Sequence, residues 1–205
     1  MPKVENHFTT IAKCRGDEEF CREAALSFHE IRKKNSRLMS VWHPSSTRIN
    51  LIYVGEAPPG NGRYIYNPCW EKNQKRSGIS TRILKDLKKR HLAEFSDIHR
   101  LSDLTNRLDF LMKLKQSGII VVDSCQCPIE RLGPKKKAEA MENCFKKQSS
   151  KIIDNALDNR SKDCRIVVLL PRNKRNKKFR RYLAERYGNY SGVKVENIFW
   201  QNKKK

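Results

Sequence analysis

Apolar and polar positions along this chain follow two alternating spacings. Short aliphatic, largely β-branched runs recur at Ile49 to Val54, Ile119 to Val122 and Ile166 to Leu170. Each is bounded by polar or turn-forming residues, the pattern of a strand buried on both faces. Elsewhere the apolar residues fall three or four apart. Asp17 to Lys34 carries Phe20, Ala24, Phe28 and Ile31 at helical spacing, and Ile79 to Phe95 reads as a basic helix. Leu101, Leu104, Leu108, Leu111 and Leu114 mark a helix that stops at Gly118. Lys135 to Asn159 is helical, with Ala140, Cys144 and Phe145 among its less polar positions, and Lys174 to Tyr187 is a strongly basic helix. Val193 to Trp200 predicts a fourth, shorter strand. Strands alternating with helices predict an α/β fold, a three-layer α/β/α sandwich around a four-stranded, mainly parallel sheet. The 205 residues are read as one domain, with 1–48 a helical lead-in and 201–205 a basic tail.

Charge narrows the partners. Lys and Arg number 44 against 22 Asp and Glu, a net charge of +22. That excess goes far beyond what solubility needs and points to a polyanion, with nucleic acid first. DNA is the expected partner, and RNA or a ribosomal surface the alternative. No apolar run approaches the roughly 20 residues of a membrane helix, so no membrane partner is expected. Met1 to Arg15 has no apolar core of a secretory signal. The seven cysteines are an odd number, which favours a reducing cytoplasm, nucleoid or nucleus over a disulfide scaffold.

The most informative stretch is Leu51 to Gly60. An apolar strand stops at Gly55-Glu56-Ala57-Pro58-Pro59-Gly60, and Gly62-Arg63-Tyr64-Ile65-Tyr66 follows. Ligands in open α/β sheets bind outside the carboxyl ends of the strands, so Glu56 is placed where chemistry is expected. Pro171 to Lys205 holds 12 Lys and Arg against two Glu, and Lys75 to Arg90 holds seven against one Asp. Both stretches follow strands, and both are expected on the rim that carries Glu56.

These residues resemble the uracil-DNA glycosylase superfamily, and most closely its iron–sulfur branch, family 4. That branch opens its site with a strand ending in Gly-Glu-Ala-Pro-Gly, which Gly55 to Gly60 matches with one extra proline. A Gly-Arg-Pro-Phe-like segment follows in the family, where Gly62 to Tyr66 stands here. Asp123-Ser124-Cys125-Gln126-Cys127-Pro128 lines up with the family's Asn-Val-Val-Lys-Cys segment. The resemblance runs from about Leu51 to the C-terminus.

Three departures stand out. The family's His-Pro-Ser-type motif after the last strand is replaced by Phe199-Trp200-Gln201-Asn202. The His-Pro-Ser at His43 to Ser45 precedes the first sheet strand, at the wrong end, and is read as a decoy. Asp123 replaces a base-reading Asn. An ionised Asp only accepts hydrogen bonds, which suits the exocyclic amine of cytosine or adenine better than uracil; the alternative is an Asp protonated by burial, which mimics the amide in part. Finally, Cys14 and Cys21 are spaced more widely than the family's close cysteine pair. No cofactor is expected; the alternative is a [4Fe–4S] cluster on Cys14, Cys21, Cys127 and Cys144.

The resemblance implies a monofunctional DNA glycosylase of base-excision repair. It would flip a damaged, deaminated nucleotide into a pocket and hydrolyse its N-glycosidic bond. Glu56 is the catalytic candidate, stabilising positive charge on the sugar and orienting water. Gly55, Ala57, Tyr64, Tyr66 and Asp123 would form the base pocket. Gln201 and Asn202 are the candidates to replace the missing histidine. Arg63, Lys174, Arg175, Lys177, Lys178, Arg180 and Arg181 would contact the nucleic-acid backbone. The alternative from the same residues is an inactive member of the fold that only binds nucleic acid.

Overall fold

The computed structural model describes residues 48–57, 78–98, 101, 104–125, 129, 132–170 and 174–198. Strand β1 (Ile49–Gly55) is followed by helix α1 (Gly78–Lys89), a 3-10 turn (Ala93–Phe95) and helix α2 (Leu104–Gln116). Strand β2 (Ile119–Asp123) leads to helix α3 (Pro134–Cys144), a π-helical turn (Phe145–Ser149) and helix α4 (Ser150–Asp158). Strand β3 (Arg160–Leu169), helix α5 (Lys174–Tyr187) and strand β4 (Val193–Ile198) complete the order.

The four strands form one parallel sheet in the order β2-β1-β3-β4. Their side chains alternate between two covered faces. Ile52, Val54, Ile120, Val122, Ile166 and Val168 pack with Cys144, Phe145, Ile153, Leu157, Phe179, Leu183 and Tyr187, the layer of α3, α4 and α5. Leu51, Tyr53, Ile119, Val121, Val167 and Leu169 pack with Ile83, Leu84, Leu87, Phe110, Leu111 and Leu114, the layer of α1 and α2. Burial on both faces is why β1, β2 and the second half of β3 read as continuous apolar runs, whereas the edge strand β4 alternates and is only partly buried. The result is an α/β fold of three layers.

The connection from β1 runs to one side, to β2, and the connection from β3 runs to the other, to β4. The chain therefore reverses direction between β1 and β3. In doubly wound sheets the binding crevice opens at the carboxyl ends of such a strand pair. Glu56 stands at that point.

Several boundaries differ from the sequence reading, each for a local reason. The basic helix ends at Lys89, because His91 takes a left-handed conformation (φ 56°) before the 3-10 turn. The leucine helix begins at Leu104, while Leu101 is buried ahead of it. It ends at Gln116, two residues before the expected stop at Gly118, whose φ is +65°. A side chain there would also collide with the Arg48 carbonyl, so glycine is required on both counts. Strand β3 starts six residues early. Its first half is polar apart from Cys164 and only partly buried, so it carries no apolar run. The stretch from 135 to 159 is interrupted by the π turn, discussed below. The segment Asp17 to Lys34 and the decoy at His43 lie outside the described residues.

Candidate functional site

The carboxyl ends of β1 and β2 are laced together. Ser124 donates its amide hydrogen (2.9 Å) and its hydroxyl hydrogen (2.6 Å) to the Gly55 carbonyl. The Cys125 amide donates to the Glu56 carbonyl at 3.0 Å. Beneath them, the Ser149 hydroxyl donates to the carbonyls of Asp123 (2.6 Å) and Ser124 (3.3 Å). Ser124 and Ser149 are fully buried, so these bonds form away from water and hold the rim rigidly. Ser149 is the last residue of the π turn. Such turns insert a residue into a helix and are frequent at functional sites.

Gly55 is needed for close packing. A β-carbon there would come within 2.6 Å of Asp123 Oδ1 and 2.7 Å of Ile79 Cδ1. The Asp123 carboxylate thus lies across Gly55, beside the first turn of α1, and is 7 % exposed. Glu56 turns instead to the other layer. Its Oε1 lies 3.2 Å from Lys137 Nζ in the first turn of α3, with both side chains 30 % exposed. Ala57 packs against the core of that same layer. The two acids picked out in the sequence therefore flank the strand end and engage different layers.

The helix starts around this rim carry an unusual charge pattern. The first turns of α1, α3 and α5 contain no acidic residue. Instead α3 opens Pro134-Lys135-Lys136-Lys137 and α5 opens Lys174-Arg175-Asn176-Lys177. Helix starts ordinarily favour acids, because the backbone dipole presents positive charge there. Lys135, Lys136, Lys177, Lys178 and Arg181 are exposed. Glu142 ties α3 to α5, lying 2.8 Å from Lys146 and 3.8 Å from Lys178. The hydrogen bond from Lys146 holds the Glu142 carboxyl below its ordinary range, against a smaller opposing effect of burial.

Two expectations are corrected. Arg180 is turned into the fold, 9 % exposed, among the buried residues of α5; it does not share the outward face of Lys177, Lys178 and Arg181. The basic stretch ending at Arg90 does not end on the Glu56 rim either, because α1 runs antiparallel to β1. Lys89 and Arg90 line a cleft of about 590 Å³ with Asn50, Leu51, Ile119 and Arg165, at the amino ends of the strands. There Arg90 bridges Asp86 and Glu196, at 2.7 Å to each.

Tyr64, Tyr66, Arg63, Gln201, Asn202, Cys14, Cys21 and Cys127 lie outside the described residues, as do the side chains of Lys174 and Arg175. Of the proposed cluster ligands only Cys144 is described, and it is completely buried in the core. Among the described residues no group of three or more His, Cys, Asp or Glu could hold a metal ion, and no helix is long and apolar enough to cross a membrane. Burial pushes the Cys164 thiol up to about 11, against the opposing influence of Arg160.

The sequence reading missed Lys137, Ser124 and Ser149. A signal existed for the first: Gly133-Pro134 marks a helix start, and three lysines follow it directly after a strand and its loop. Nothing in the local pattern announced the serines: Ser149 acts from the π turn and Ser124 from just beyond β2, onto the Gly55 carbonyl. The chain matches no model of a known family, no curated protein and no solved structure.

Proposed function

We propose that this protein binds DNA across the carboxyl rim of its sheet and hydrolytically excises a damaged, deaminated base there, a base-excision repair reaction. One observation carries the reading. Glu56 stands where the sheet connections reverse, and the helix starts around it bear cations where acids are the rule. Each misplaced cation is unfavourable by about 0.3–1 kcal/mol at a helix start. A phosphate backbone laid along the rim reverses the sign of that effect.

On this reading Lys135, Lys136, Lys177, Lys178 and Arg181 hold phosphates and fix the register of the strand, without reading its sequence. Asp123 accepts a hydrogen bond from a ring N–H on the Watson–Crick edge of the flipped base, N3–H of uracil or N1–H of hypoxanthine. Glu56 stabilises the positive charge that builds on the sugar as the base leaves, and orients the attacking water. Lys137, 3.2 Å away, holds the Glu56 carboxylate in place until the substrate sugar arrives.

The Glu56–Lys137 ion pair also favours a second reading, a nucleic-acid-binding protein without catalysis, since a paired carboxylate is less free to activate water. The test is a panel of duplex and single-stranded oligonucleotides, each with one uracil, hypoxanthine, xanthine, mismatched thymine or alkylated base. Alkali-sensitive cleavage is scored for the parent protein and for Glu56→Gln. Base release that falls about 100-fold or more in Glu56→Gln supports excision. Tight, salt-dependent binding with no release from any oligonucleotide selects the second reading.

A further inference from the structure

The amine of Lys137 is the cationic side chain that α3 delivers to the candidate carboxylate itself. Lys135 and Lys136, its neighbours in the first turn, are exposed, whereas Lys137 is half-buried with its Nζ 3.2 Å from Glu56 Oε1. Its backbone is fixed by the first helical hydrogen bond of α3, to the Gly133 carbonyl at 2.9 Å. The Glu56 backbone is fixed in turn by Cys125. An amine and a carboxylate are thus held together by two anchored elements at the mouth of the switch-point crevice. A primary amine adjoining a carboxylate has the parts needed for imine chemistry on an aldehyde: a nucleophile, and a group that takes and returns its protons.

We propose that Lys137 is the nucleophile of a second activity at this rim, a lyase that cuts DNA at an abasic deoxyribose. The inference rests on the DNA reading above. The steps balance with no further reactant. Lys137 passes a proton to Glu56, and its nitrogen lone pair attacks the aldehyde C1′ of the ring-opened sugar; the C–N bond forms as the C1′=O π pair moves onto oxygen, which takes a proton from the nitrogen to give a carbinolamine. The carbinolamine loses its hydroxyl as water, with the proton returned by Glu56, leaving a protonated imine. Glu56 then removes a proton from C2′, and the electron pair expels the 3′ phosphate by breaking the C3′–O3′ bond. Water hydrolyses the imine, releasing an unsaturated aldehyde on one fragment and regenerating Lys137.

The imine can be trapped. The full-length protein is mixed with a labelled duplex carrying one preformed abasic site, and sodium borohydride is added. A covalent protein–DNA adduct is read on a denaturing gel, and the modified lysine is mapped by peptide mass spectrometry. Lys137→Arg keeps the positive charge beside Glu56 but cannot form the imine; Lys151→Arg, at an exposed position on α4, is the control. The expected result is an adduct mapped to Lys137, reduced at least tenfold in Lys137→Arg and unchanged in Lys151→Arg. No adduct with the parent protein, an adduct mapped to another amine, or equal yield from Lys137→Arg overturns the proposal. Because the abasic site is preformed, this outcome is independent of base release. Release without an adduct leaves excision standing and removes the lyase; an adduct without release does the reverse.

Discussion

Gly55 shows how much of this site hangs on one missing side chain. The Asp123 carboxylate and the Ile79 methyl both occupy the space that a β-carbon would need. A Gly55→Ala variant must displace the Asp123 carboxylate and the Ile79 methyl, in a region where the neighbouring core is closely packed. Overpacking of that kind destabilises by about 1–3 kcal/mol, which a urea unfolding curve would register. A gain in stability would show that Asp123 is not held across the strand end. Tyr53 is the counterpart on the same strand. It is fully buried, and its hydroxyl donates to Asp86 Oδ2 at 2.6 Å. Burial, followed by the hydrogen bond to Asp86, keeps the phenol neutral far above its ordinary range. Tyr53→Phe keeps the ring and removes only the hydroxyl with its bonds to Asp86 and Arg90, so a loss of about 1–2 kcal/mol is expected in the same measurement.

At the scale of elements, Glu196 on β4 fastens the edge strand to α1. Burial pushes its carboxyl up, but the hydrogen bond and charge of Arg90, with Arg165 and Lys194, outweigh that and hold it below its ordinary value of 4.5. A carboxyl lowered by folding stabilises the protein above its unfolded pKa, and that contribution is lost as pH falls through the folded value. Glu196→Gln should therefore lower stability at neutral pH and flatten the acid side of the stability profile, between about pH 5 and pH 2. Unfolding midpoints measured across that range would check it; parallel profiles for parent and variant would refute it. The helices themselves were largely legible. Lys174 to Tyr187 is read from the sequence with the bounds observed, because its apolar positions and the flanking Pro171 and Gly188 agree. The π turn was not, since Phe145 to Ser149 keeps helical composition and only its packing reveals the extra residue. Phe145 sits edge-on to Phe179, Tyr182 and Tyr187 of α5. That anchorage from another element is invisible in a local window.

For the whole molecule the net charge is +22, and among the described residues cations stand both on the helices that start at the carboxyl rim, as Lys135, Lys136 and Lys177 do, and around the opposite cleft, as Lys89, Arg90 and Arg165 do. The strands were legible because burial on both faces writes itself as aliphatic runs. The place of Glu56 at a strand end followed from that pattern. Which rim each basic stretch occupies did not, because it depends on the direction of α1 and on which residues of α5 turn inward, as Arg180 does. If the outward cations hold phosphates, replacing Lys177, Lys178 and Arg181 together with glutamine should weaken DNA binding for every sequence. It should also make the salt dependence shallower, by about one unit of log–log slope for each phosphate no longer neutralised. An unchanged slope would place the phosphate-binding cations elsewhere.

The most direct test of the central claim locates the bound nucleic acid. Amide resonances of isotope-labelled protein would be followed by NMR during titration with a short DNA strand. The site described here predicts shifts at Gly55, Glu56, Ser124, Cys125, Lys135 to Lys137 and Lys177. It predicts none at Asn50, Lys89 or Arg165 around the opposite cleft. Shifts confined to that cleft, or no shifts at the carboxyl rim under saturating DNA, would contradict it.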